Sequence, residues 1–175
     1  MGYIEVLSID MTTPSAYHQI GKLIVSFQQL ENAVNNLIVL MADADTETIQ
    51  ILINELEFSK RLKTTDVLFS HFVDLRTNTD KAQKQAFHAL MTELGKLGER
   101  RNVIVHSNYY NWIDIDGKVG LLRTNSKLSS KIGTREEQEE ELQPTDFDSD
   151  LDRLNKASIE IEKFRLKIID WLHPV

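Results

Sequence analysis

The stretch TTPSAYHQIGKLIVSFQQLENAVNNLIVLMA, residues 12–42, limits the possible folds more than any other part of the chain. Ile20, Leu23, Ile24, Phe27, Leu30, Val34, Leu37, Ile38 and Met41 recur every three or four residues, the spacing that puts side chains on one face of an α-helix. Thr13 is placed to cap such a helix and Pro14 to occupy its first position, where a missing amide hydrogen costs nothing, so a helix is predicted over about 14–42. Its broad apolar stripe must face a core. A chain of 175 residues, 41% hydrophobic, can build one such core and not two, so residues 1–175 are read as a single domain.

The same periodicity continues downstream. Short helices are predicted over about 46–53 behind Asp45 and about 60–76 behind Ser59, the second carrying Leu62, Phe69, Phe72 and Val73. Asp80 then caps a segment in which Phe87, Leu90, Leu94, Leu97, Arg101 and Ile104 keep helical spacing as far as His106, and Phe147 to Trp171 repeats the pattern at the end of the chain. Between them, apolar residues flank Asp116-Gly117 in NWIDIDGKVGLLR, the signature of a tight hairpin turn. The expected fold is all-α: a bundle of four to five main helices with a small β-hairpin inserted before the last one. Residues 118–135 hold Lys118, Arg123, Lys127, Lys131 and Arg135 and no acid, whereas EEQEEELQPTDFDSD, residues 136–150, holds eight acids and no base. This lopsided composition reads as a charged, flexible segment over about 124–145.

Several function classes fall away on composition. No apolar run approaches the roughly 18 residues that span a bilayer, and the first ten residues lack the basic start and apolar centre of a signal peptide, so a cytoplasmic protein without a membrane partner is expected. The absence of cysteine removes disulfides, thiolate nucleophiles and zinc-thiolate sites. A net charge of −7 argues against coating nucleic acid but leaves room for a local basic cleft. His18, His71, His88 and His173 show no metal-ligand spacing, and neither metal nor cofactor is expected.

ERRNVIVHSNYYNW, residues 99–112, is the segment whose residue types exceed what packing requires. An arginine followed by a histidine a few residues on is uninformative alone. Requiring a polar residue directly after the arginine and four residues between it and the histidine lowers the expected chance matches in this chain to roughly 0.03. RNVIVH, residues 101–106, at the end of a long amphipathic helix in a helical chain, resembles the signature of the HEPN domain ribonucleases. That resemblance covers the motif and most of the helical plan, including a first long helix with a glutamate on its inner face. It implies a dimer that joins two motifs in one composite cleft, with Arg101, Asn102 and His106 at the catalytic positions. Arg100 ranks second, lacking a polar follower, and would at most touch phosphate. Asn108 stands where some toxin members carry a tyrosine that a partner enzyme adenylylates.

The chemistry is coherent without the resemblance. RNA cleavage by the ribose 2′-hydroxyl needs a base, an acid for the leaving oxygen, and a cation for charge gathering on the phosphate. Histidine serves the first two near neutrality, and a guanidinium fork matches phosphate oxygens. Asn102 and His106, four residues apart, share one helix face, while Arg101 lies about 100° away, so its divergence from His106 favours a second copy. The competing reading of the same residues is a helix-ending histidine and an arginine in an ordinary ion pair. Glu31 interrupts the first stripe and needs either a cation, Arg101 or Arg100, or a route to water. Tyr109, with Tyr110 and Trp112, can stack bases or pack the hairpin, and Lys118, Arg123, Lys127 and Lys131 can guide RNA or form a solvated loop. The expected function is a metal-independent endoribonuclease leaving 2′,3′-cyclic phosphate and 5′-hydroxyl ends, a toxin or antiviral effector with a protein antitoxin or activator. The alternative is a catalytically silent, HEPN-like dimeric scaffold or neutralising partner, which the acid run suits.

Overall fold

A computed structural model describes residues 15–113, 115, 117, 119–129 and 133–174, with the backbone alone at 127–129 and 134–136. The first helix, α1 (Ala16–Ala42), starts two residues later than its sequence signals suggest, because Ser15 is the cap: its Oγ accepts from the His18 N–H at 3.3 Å. Thr13 and Pro14 lie outside the described residues. Helix α2 (Thr46–Asn54) begins behind Asp45, whose carboxylate accepts from the Thr48 N–H at 2.9 Å. Helix α3 (Phe58–Asp74) starts two residues ahead of its predicted position, with Glu57 rather than Ser59 before it. Arg76, expected inside it, lies past its end, with its guanidinium 3.6 Å from the Phe72 ring centre. In front of α4 (Gln83–Val105), the Asp80 carboxylate accepts from the Ala82 N–H at 2.9 Å, so it caps the turn leading into the helix.

After α4 come three strands, β1 (Asn108–Ile113), β2 (Val119–Ser129) and β3 (Thr134–Leu142), then a 3₁₀ turn over Pro144–Phe147 and the last helix, α5 (Asp148–Leu172). Among the described residues the fold is therefore mostly helical, with five α-helices, but not purely α. The expected small hairpin is the first half of a three-stranded antiparallel sheet in the order β1-β2-β3. Gly117, at φ +81, occupies the conformation its turn demands; Asp116 is outside the described residues. Within the charged segment 124–145, residues 124–129 belong to β2 and residues 134–142 form β3. Its two blocks of opposite charge form complementary strands, with Arg123 opposite Glu140 and Lys127 opposite Glu136 in the ladder. Leu121 and Leu142, opposite each other and both buried, anchor this pair of strands to the bundle.

Helix α1 packs against α3 and α5, and α4 packs against the same two, so the stripe predicted for α1 faces the centre of the bundle. Buried Leu23, Phe27, Leu30, Val34, Leu37, Ile38 and Met41 confirm seven of its positions. The aromatic centre of the core is Phe69, stacked on Phe87 with ring centres 3.9 Å apart and meeting the edge of Phe164 at 5.5 Å. Gly98 lets α4 approach the start of α3, since a Cβ there would meet the Phe58 ring at 2.9 Å. Among the described residues, no helix is long and apolar enough to cross a membrane. Phe69, fully buried, is the most informative core position: Phe69→Ala should cost about 3–5 kcal/mol, measurable as a lowered midpoint in urea or heat unfolding followed by circular dichroism.

Candidate functional site

Two adjacent arginines on α4 face different surroundings. Arg100 turns toward the sheet and α5: its Nε donates to Asp150 at 2.9 Å, and its two terminal nitrogens donate to the two Glu140 oxygens at 3.0 and 3.1 Å. Burial opposes the charged form, but the two carboxylates outweigh it and hold the guanidinium above its ordinary value. Glu140 also takes the Arg123 Nε at 2.7 Å, and Arg123 donates to Ser107 Oγ at 3.0 Å. Burial pushes the Glu140 carboxyl up; the two guanidiniums more than reverse this and leave it below 4.5. Arg100 is thus paired with protein carboxylates through all three guanidinium nitrogens. Arg123, only 5% exposed, is a buried strut and not part of a basic arm.

Arg101, about 100° further round the helix, opens into a cleft of about 680 Å³ lined by Phe27, Glu31, Phe58, Arg61, Glu99 and Asn102. Its guanidinium carbon lies 5.8 Å from the centre of the Phe27 ring. One terminal nitrogen donates to the Asn102 Oδ1 at 3.1 Å, and its buried Nε has no hydrogen-bond partner among the described residues. The guanidinium is therefore oriented from one side while part of its donor capacity is unused. Opposite it, Glu31 is buried as its place in the stripe requires, but its partner is neither Arg101 nor Arg100. Arg61 of α3 donates to it at 3.2 Å and to Asn35 at the same distance. The sequence reading missed Arg61, because a cation 30 positions away on a different helix leaves no local pattern.

His106 follows the last residue of α4; its backbone N–H closes the helix on the Asn102 carbonyl at 3.0 Å, and its imidazole is exposed. It does not line the cleft into which Arg101 and Asn102 open. The structure thus joins two of the three predicted catalytic residues within one chain and leaves the third on the surface at the helix end. Tyr109 turns inward, packs on the core and donates to the Ile104 carbonyl at 2.6 Å, so it braces the strand and is not a free platform for bases. Burial raises its phenol's pKa, against the nearby Arg123 and Arg100. Lys118 and Lys131 lie outside the described residues, and Lys127 is placed by its backbone opposite Glu136. Among the described residues no three histidines or carboxylates stand where they could hold a metal ion.

Fold and cleft together describe a mostly helical bundle whose fourth helix ends in an Arg-Asn pair beside a polar cleft and an exposed histidine. No protein-family model, curated protein or solved structure matches the chain.

The Glu140 pair carries a pH signature. A carboxyl held below 4.5 in the fold stabilises it fully above that value and loses the contribution as pH falls through the lower folded value. Glu140→Gln should therefore lower the Tm near neutrality, and the gap between parent and variant should close as pH drops below 4.5. Melting curves from neutral to acid pH check both halves.

Proposed function

We propose that the chain is an endoribonuclease, acting without a metal ion as a two-fold homodimer. His106 takes the proton from a ribose 2′-hydroxyl, whose oxygen attacks the adjacent phosphorus. The bond from phosphorus to the 5′-oxygen breaks, and that oxygen leaves with a proton from the second copy's histidine. The products are a 2′,3′-cyclic phosphate and a 5′-hydroxyl. Arg101 meets the charge growing on the non-bridging oxygens, and Asn102 orients the guanidinium it is bonded to.

The observation that carries this reading is the division of labour between the paired arginines: Arg100 is consumed by Asp150 and Glu140, while Arg101, bonded to the Asn102 amide, lines a cleft. The exposed His106, outside the cleft its own Arg101 enters, supports a site completed by a second copy. The resemblance of RNVIVH to the HEPN signature supports RNA as substrate and a role as a toxin or antiviral effector, held in check or triggered by a partner protein. The alternative is a silent HEPN-like module that serves as a scaffold or neutralising partner, and the acidic sheet favours it.

Incubation with total RNA in EDTA, followed by end-group analysis, tests the activity. His106→Ala and Arg101→Ala should each slow cleavage by at least about a hundredfold while leaving the circular dichroism unchanged; cleavage by both at the parent rate would sink the assignment. Light scattering at micromolar concentration should give twice the chain mass of 20.1 kDa. A strict monomer removes the composite site.

A further inference from the structure

The ladder register sorts the charges of the sheet by face. Alternate residues of a strand point to opposite sides, so Tyr109, Leu121, Arg123, Glu140 and Leu142 share the side turned to the bundle. The opposite side carries three rows beside β1, with Ser126 opposite Glu137 beyond them. Trp112 stands opposite Gly120, Tyr110 opposite Leu122 and Glu141, and Asn108 opposite Thr124 and Glu139. None of these residues is basic. On β3 the first basic residue of this parity is Arg135, opposite Leu128 at the far end of the ladder. The cations of β2, Arg123 and Lys127, have the other parity and stand opposite Glu140 and Glu136.

The outer face is thus a strip of Tyr110, Trp112 and Leu122 with the exposed carboxylates of Glu139 and Glu141 beside it. Tyr110 is 57% exposed. A Cβ on Gly120 would meet the Trp112 indole at 2.6 Å, so the ring lies across the strand, and its buried Nε1 has no partner among the described residues. An apolar, aromatic strip bordered by acids repels a phosphate backbone and attracts cations, which gain both ion pairs with the carboxylates and contact with the ring faces.

We infer that this outer face of the sheet is a docking surface for a lysine- or arginine-rich segment of another protein. Cationic side chains of that segment pair with Glu139 and Glu141, and their aliphatic stems cover Tyr110, Trp112 and Leu122. The face shares no residue with the cleft at Arg101, so peptide binding and RNA cleavage can fail independently.

Hexaarginine is the probe. The chain has two tryptophans, so in a Trp171→Phe background the emission reports on Trp112 alone; fluorescein-labelled hexaarginine followed by anisotropy gives the same Kd in the unaltered protein. The expected result is a saturable change in Trp112 emission that weakens as salt rises. Glu139→Lys with Glu141→Lys should raise the Kd at least about tenfold and Tyr110→Ala about threefold. An equal charge change on α2, Glu47→Lys with Glu55→Lys, should raise it less than about twofold, by long-range charge alone. Equal weakening by the α2 pair would reduce the effect to net charge and overturn the proposal. So would an unmoved Trp112 emission, or a single-stranded RNA oligonucleotide that moves it where hexaarginine does not.

Discussion

Arg100 is the joint on which the arrangement of elements depends. Its three donors reach Glu140 on β3 and Asp150 at the start of α5 from a position on α4, so one guanidinium ties together three segments. Arg123 extends the joint to Ser107, directly after the motif histidine, and Arg153 extends it to Glu93. A half-buried charge of this kind is tolerable only because its donors are met by carboxylates in fork geometry. The clamp also decides what the next residue does. With Arg100 turned to the sheet, the helical step sends Arg101 to the other side, toward Phe27 and the cleft.

Charge in this protein is organised by pairing more than by net amount. A total of −7 conceals a sheet in which a basic strand and an acidic strand meet: on the inward face Arg123 pairs with Glu140, while the outward face keeps carboxylates beside aromatic rings. The cleft is organised in the same manner: Arg61 answers Glu31, and the Arg101 guanidinium is steadied by an amide and a ring, with no carboxylate paired to it among the described residues. A guanidinium spared such a partner retains its attraction for an incoming anion, which separates a strut from a candidate binding group.

The helices were legible because their cause is local. Apolar spacing, Asp45 as a cap and the Asp116-Gly117 turn depend on residues within a few positions of one another, and the observed elements follow them to within a few residues. The motif was legible for the same reason, since Arg101, Asn102 and His106 lie within two turns of one helix. The β2–β3 pair was not legible. TREEQEEEL has almost no apolar alternation, and its strand conformation comes from the ladder with β2 and the ion pair of Glu140 with Arg123.

By itself the sequence determined a bundle of four to five main helices and their approximate ends, the stripe of α1 that builds the core, the first turn of the sheet, and the arginine, asparagine and histidine at the end of α4. These follow from short-range periodicity and turn chemistry, which act before any long-range contact forms. Only the tertiary structure decided which arginine is a strut and which faces a cleft, that Glu31 answers to Arg61, that Arg123 is buried, and that two oppositely charged runs are neighbouring strands. Each of these is a meeting of side chains 17 to 50 positions apart. Such a meeting is set by how the helices and the sheet pack together, and no pattern within a single segment encodes it.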